Sequence, residues 1–185
     1  SKKDFKVWSL DEVKKSASKK LFSVVSMFSG SGGSSTGYKM SGGDIRLVLD
    51  CPEIAIKSYL NNSPSTETIC DDIRNITGKQ ILKRIGMKPK QLDILDGSPP
   101  CPPFSMAGSK REGWGQEKTV YGKKQKNIED LTFDFIKIAN EIQPKVIVCE
   151  NVKGLTMTYA RDHLDKMVDG FRQCGYQTVF KVLNA

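Results

Sequence analysis

The 185-residue chain is 38% hydrophobic and 27% charged, with a net charge of +8, which suits one domain with a buried core and leaves little room for two. No apolar run approaches the 18 residues of a membrane span and no signal-peptide pattern opens the chain, so an intracellular protein is expected. Its five cysteines (Cys51, Cys70, Cys101, Cys149 and Cys174) stand far apart without a Cys-x-x-Cys pair, and His163 is the single histidine, so neither a disulfide framework nor a metal site is supported.

Residues 1–20 hold seven lysines against Asp4, Asp11 and Glu12 and read as a basic extension to a domain spanning 21–185. Within the extension, Ser9-Leu10-Asp11-Glu12 has the form of a capping box ahead of a short helix that fades by Ser18. From Leu21 onward short apolar runs alternate with helix-period stretches, the pattern of an α/β domain with a largely parallel sheet. Strands are predicted over 22–28, 45–50, 68–70, 92–95, 145–149 and 178–183. In the helix Leu131–Ile142, Leu131, Phe135, Ile138 and Ile142 form one apolar stripe and Pro144 prevents continuation. A second helix is expected over 163–174, with Leu164, Met167, Val168 and Phe171 on its inner face, His163 exposed at its start and Gly175 as its stop. Between the fourth strand and the long helix, residues 110–126 form a second basic segment in which Lys110, Arg111, Lys118, Lys123, Lys124 and Lys126 face only Glu112 and Glu117. Two local basic segments on an otherwise neutral body suit a polyanionic partner, although lysines that serve only solubility would read the same way.

Four motifs carry chemistry. Phe28-Ser29-Gly30-Ser31-Gly32-Gly33 follows the first strand and precedes a helix expected near Ser34, where glycines let the backbone approach a ligand and the helix start offers unpaired amides. No Gly-Lys-Ser/Thr follows, which argues against a phosphate-binding P-loop. Asp50 ends the second strand about twenty residues further on, in position to accept both hydroxyls of a ribose; it can equally cap a helix. Gly97-Ser98-Pro99-Pro100-Cys101-Pro102-Pro103-Phe104-Ser105 mounts a single thiol among four prolines at the ligand end of the sheet. The stiff backbone suits a nucleophile, and a buried structural cysteine is the alternative. Glu150-Asn151-Val152 closes the strand after Pro144 and brings a carboxyl to the same end.

In that order, the glycine loop, Pro99-Pro100-Cys101 with Phe104-Ser105, and Glu150-Asn151-Val152 resemble the first, fourth and sixth motifs of the DNA (cytosine-5) methyltransferases, and the resemblance runs from Leu21 to Ala185. It implies a Rossmann-like methyltransferase fold with helices on both faces of the sheet, and S-adenosylmethionine as cofactor. It also implies DNA as substrate and methyl transfer to carbon 5 of cytosine through a covalent adduct on Cys101, with Glu150 holding the base. By the same resemblance Phe28, Ser29, Gly30, Gly32, Gly33, Asp50, Cys51, Asp72, Ile73, Pro100 and Leu131 border the cofactor. Ser105, Lys110, Arg111, Lys123, Lys124 and Lys126 are the candidate nucleic-acid contacts.

The chain departs from the family in three places. Pro102 stands where the family usually has Gln, and the stretch between Ser105 and Leu131 is longer than usual. After Ala185 the family continues with a Gln-x-Arg-x-Arg motif, a recognition region and a closing helix, so a fold incomplete at its C-terminus, inactive alone and completed by a second chain or a further region, is expected. Alternatives are a transfer-RNA cytosine-5 methyltransferase, an amino-methyltransferase suggested by Ser98-Pro99-Pro100, and a non-catalytic homologue that binds cofactor or nucleic acid.

Overall fold

The computed structural model describes residues 7–100, 118–120, 123–125 and 131–183. Its centre is a five-stranded parallel sheet built from β1 (Phe22–Met27), β2 (Gly43–Asp50), β3 (Thr68–Cys70), β4 (Ile94–Gly97) and, last in the chain, β7 (Val146–Cys149), in the order β3-β2-β1-β4-β7. The basic segment contributes a separate antiparallel ribbon, β5 (Lys118–Val120) with β6 (Lys123–Gln125). Helices α1 (Leu10–Ala17), α2 (Gly33–Met40), α3 (Glu53–Asn62), α4 (Gly78–Ile85), α5 (Leu131–Ile142) and α6 (Arg161–Gln173) complete the chain.

The central strand explains the layering. In β1 the residues Val24, Val25 and Met27 are all buried, as a parallel strand covered on both faces requires. Val25 and Met27 join Leu47, Leu49, Ile81, Leu95, Phe135 and Ile138 in the larger core, under α4 and α5. On the opposite face Val24 and Val48 pack with Ile56 and Tyr59 of α3. The capping box of α1 forms between Ser9 and Glu12, and α1 lies against α2, where the Ser16 hydroxyl donates to the Met40 carbonyl at 2.8 Å.

Two expectations are corrected. Residues 178–183 adopt no strand, and among the described residues nothing pairs with the outer edge of β7. A strand needs a neighbour for its backbone groups, and after Gly175 the chain is held elsewhere. The Tyr176 hydroxyl donates to the Pro144 carbonyl at 2.6 Å, Phe180 lies under the Arg161 guanidinium, and Val179 and Leu183 are exposed. His163 is buried, not exposed. Helix α6 begins at Arg161, two residues before the expected start, so His163 lies within the helix, four residues before Met167 on its buried side and edge-on to Phe133 of α5. Gly175 ends α6 as expected, with a φ of +92°.

Candidate active site

Strand register brings the motifs to one rim. Met27 pairs with Leu49 on one side and Gly97 on the other, and Gly97 pairs with Cys149. The next residues, Phe28, Asp50, Ser98 and Glu150, therefore leave the sheet in a row at its carboxyl end. At the usual strand spacing Asp50 and Glu150 stand about 14 Å apart along that row. Chain connections reverse direction between β1 and β4, and the crevice outside such a switch point is where sheets of this type bind ligands.

The glycine loop occupies this crevice. Gly30 and Gly32 take positive φ values of +52° and +92°, and a side chain at Gly32 would stand 2.8 Å from the Tyr59 ring. Phe28 shares the left-handed conformation, with φ +54°, and packs part-buried against the larger core. Asp50 fastens the loop: its carboxylate accepts the Gly30 amide at 2.8 Å and the Cys51 amide at 2.8 Å. Burial pushes the Asp50 carboxyl up, and the two amides partly offset that. The helix that follows is capped by Pro52, so Asp50 serves the loop and not the helix. The Ser29 hydroxyl is enclosed at the start of the loop with no hydrogen-bond partner among the described residues.

The remaining cofactor candidates divide by exposure. Asp72 caps a single 3₁₀ turn, Ile73–Asn75, and its carboxylate is gripped by the Arg74 side chain at 2.6 and 2.9 Å. Bonding to Arg74 holds it below the usual carboxylate range. Ile73 and Leu131 are buried within the core, behind the rim, whereas Cys51 and Pro100 are part-exposed.

On the other side of the crevice β4 runs into the proline segment. The Asn151 amide donates to the Pro99 carbonyl at 3.2 Å, and the Glu150 backbone N–H donates to the Gly97 carbonyl at 3.0 Å. These two bonds tie the Glu150 strand end to the segment leading into Cys101. Glu150 itself is exposed. Cys101, Ser105, Lys110, Arg111 and Lys126 lie outside the described residues, and Lys123 and Lys124 belong to β6. Burial pushes the Cys149 thiol up to about 12 and also raises Cys174, so neither is a ready thiolate at neutral pH. No group of His, Cys, Asp or Glu among the described residues is placed to hold a metal, and no described helix is long and apolar enough to cross a membrane.

Sequence reasoning missed Asp96. It is 4% exposed inside β4, and its carboxylate accepts three hydroxyls: Ser26 at 2.8 Å, Ser34 at 2.7 Å and Tyr38 at 3.1 Å. Burial and the adjacent Asp96 charge push the Tyr38 phenol up. The only signal in the sequence was an acid in an otherwise apolar strand.

Comparisons with known proteins agree with this geometry. The family model for C-5 cytosine-specific DNA methylase matches residues 22–185. The type II methyltransferase M.XorII of Xanthomonas oryzae pv. oryzae is 29% identical over 163 residues, covering 87% of this chain and 36% of the relative. M.SacI of Streptomyces achromogenes is 30% identical over 174 residues, covering 88% and 43%. The chain thus spans about two-fifths of the length of these curated relatives. Among solved structures, a prophage-encoded E. coli protein superposes with a TM-score of 0.65 at 22% identity, over 82% of this chain and 38% of that one. Spodoptera frugiperda DNMT2 superposes with a TM-score of 0.54 at 25% identity, over 81% and 41%. With the family model spanning nearly the whole α/β domain and its motifs meeting at one rim, the chain belongs to the C-5 cytosine-specific DNA methylase family.

Proposed function

We propose that the chain, as a part or subunit of a larger enzyme and inactive alone, takes part in transferring a methyl group from S-adenosylmethionine to carbon 5 of cytosine in DNA through a covalent adduct on Cys101. The observation that carries this reading is the Asn151–Pro99 bond, which fastens the acid-bearing strand end to the nucleophile segment beside the glycine loop. The crevice fits the cofactor. A side chain at Gly30 or Gly33 would meet only open space, so the loop backbone there is left open to a ligand, while Gly32 lets the loop pack on Tyr59. The enclosed Ser29 hydroxyl has hydrogen-bonding capacity to spare, and Asp50 keeps lone pairs free beyond its two amide bonds. When bound, the cofactor supplies an electrophilic methyl group.

The chain's own residues supply the rest. Gly30, Gly32 and Gly33 admit the ligand, Asp50 accepts its ribose hydroxyls and Asp72 its exocyclic amine, while Phe28, Cys51 and Pro100 border it. Ile73 and Leu131 back the pocket from the core. Carbon 5 of cytosine is a weak nucleophile, so the Cys101 thiolate adds to carbon 6 and pushes electron density onto carbon 5. Glu150 hydrogen-bonds ring nitrogen 3 and the exocyclic amine, which favours the electron-poor ring as the sulfur attacks. After methylation the carbon-5 proton leaves and the carbon–sulfur bond breaks, restoring the thiolate. The base reaches these groups only out of the helix, at a few kcal/mol of unstacking, and Ser105, Lys110, Arg111, Lys123, Lys124 and Lys126 grip the phosphates that hold the strand.

Duplex DNA containing 5-fluorocytosine tests the mechanism, because fluorine cannot leave as the carbon-5 proton does and the adduct persists. With cofactor present, the chain completed by the recognition region in cis or in trans is expected to form a denaturant-resistant complex that Cys101→Ser abolishes and Cys149→Ala or Cys174→Ala retain. Failure of a folded, DNA-binding sample to form it overturns the covalent reading; trapping only by the same base in transfer RNA reassigns the substrate.

A further inference from the structure

We infer that Asp96 is a positioning residue for the cofactor: through Ser34 and Tyr38 it holds α2, and with it the glycine loop, at the geometry the ligand needs. This inference rests on the cofactor reading above and adds to it a residue that has no ligand contact of its own.

Helix α2 has little intrinsic stability of its own. Its sequence, Gly33-Ser34-Ser35-Thr36-Gly37-Tyr38-Lys39-Met40, contains two glycines and three residues, Ser34, Ser35 and Thr36, that are poor in helix interiors. A helix of two turns cannot persist by propensity alone, and most such helices are fixed by an apolar face. This one buries a single residue, Ser35, and the others are exposed or half-buried. Its N-cap is Gly32 in the left-handed conformation, with no side-chain cap. Its apolar anchorage is chiefly Tyr38, part-buried against the smaller core and edge-on to Phe22, and the bonds from Ser34 and Tyr38 to Asp96 add a directional polar anchor at the end nearest the glycine loop. Spaced four residues apart, both side chains fall on one face of the helix and converge on one carboxylate.

Asp96 itself is anchored on the sheet. It pairs in register with Ser26 of β1, whose hydroxyl it also accepts, and it directly precedes Gly97 and the segment leading to Cys101. Hydrogen bonds to a charged acceptor are about twice as strong as neutral ones, and a carboxylate this buried must retain its donors. The same carboxylate thus fixes the helix behind the glycine loop relative to the strand that delivers the nucleophile.

The test exploits two donors on α2 and one on the sheet. Ser34→Ala and Tyr38→Phe are expected to weaken binding of S-adenosylmethionine or S-adenosylhomocysteine about tenfold by calorimetry, and to speed amide hydrogen exchange across residues 29–36 without ligand. Ser34→Thr, which keeps the hydroxyl, is expected to restore both. Ser26→Ala takes a donor from the same carboxylate on the sheet side; it is expected to lower the melting temperature, leave exchange at 29–36 as in the wild type and change affinity less than twofold. Unchanged affinity and exchange in Ser34→Ala and Tyr38→Phe, with a wild type that binds cofactor, overturns the inference alone. A folded wild type that does not bind cofactor overturns the reading beneath it, and the inference with it. Equal effects of all three variants on affinity assign Asp96 a general structural role and also overturn the inference.

Discussion

The two ends of the sheet hold their carboxylates in different ways. At the amino end Asp93, just before β4, accepts the Ser23 amide and hydroxyl and pairs with the Lys145 ammonium at 2.6 Å, so its charge is met by a cation at the surface. Three residues later, at the carboxyl end, Asp96 is buried and met by neutral hydroxyls. Asp50 at the same end is met by backbone amides. At the amino end a surface ion pair, which tolerates movement and water, is added to the Ser23 bonds, whereas Asp96 and Asp50 rest on hydroxyls and amides alone, which fix direction as well as distance. The amino end is joined for stability and the ligand end is aimed.

If that contrast holds, damage at the carboxyl end should register in ligand binding and damage at the amino end in stability alone. The largest effect is expected at Gly97. A methyl group there would meet the Phe135 ring at 2.5 to 3.0 Å, and Phe135 is fully buried beneath the strand that leads to Cys101. Gly97→Ala should cost about 1–3 kcal/mol of overpacking and, in the completed enzyme, reduce methyl transfer together with stability. Adding Phe135→Leu should recover part of both, measured by urea denaturation and tritiated methyl transfer. A fully stable Gly97→Ala would mean that the ring has room to move and that this end is less rigid than the contrast requires.

Asp50→Ala comes next. It removes the acceptor of two amides at once, and net hydrogen bonds to charged groups are worth roughly 1.5–3 kcal/mol each before water replaces the lost partner. With Asp50 part-exposed, the expected stability loss is about 1 kcal/mol, and cofactor affinity should fall about tenfold because both loop geometry and the ribose acceptor are lost. Calorimetry separates the two readouts. Unchanged affinity in both Asp50→Ala and Asp72→Ala would show that the pocket lies elsewhere.

The limits of sequence reading follow the same physical division. Strand β1, the glycine turn and α5 were legible because their signals are local: an apolar run, glycines at positive φ, a stripe at helical spacing with Pro144 behind it. The Asp50 tether was half legible, since its place after β2 was readable but its bonding to Gly30 was not. Asp96 was illegible because its meaning depends on Ser26 and Ser34, which are 70 and 62 residues away and meet it only through strand register. The segment 178–183 looked like a strand by composition, yet strand formation is decided by a neighbour that composition does not name. His163 was misplaced because it was read as a helix terminus, whereas it lies inside α6, four residues before Met167 on the buried side and against Phe133. For the nucleophile segment, sequence still carries the argument, through the prolines around Cys101 and the Asn151 bond to Pro99.

The smallest effect belongs to the amino end, where the sign of a pH dependence can be worked out. The Lys145 side chain, followed by the Ser23 amide and hydroxyl, holds the Asp93 carboxyl down at about 2, against about 3.9 in an unfolded chain. A depressed carboxyl stabilises the fold wherever it is ionised in both states, so its contribution is complete above about pH 4 and is lost as pH falls toward 2. Such a shift corresponds at most to about 2.6 kcal/mol. Lys145 is 64% exposed and Asp93 28%, so solvent screening brings the expected value nearer to about 1 kcal/mol. Thermal denaturation of the wild type and Asp93→Asn should therefore differ by about that amount at pH 6, and the gap should close between pH 4 and pH 2. Cofactor affinity at pH 6 should not distinguish them. A gap that persists unchanged at pH 2.5 would assign the stabilisation to the Ser23 contacts in either protonation state, and a loss of affinity in Asp93→Asn would erase the division between the two ends.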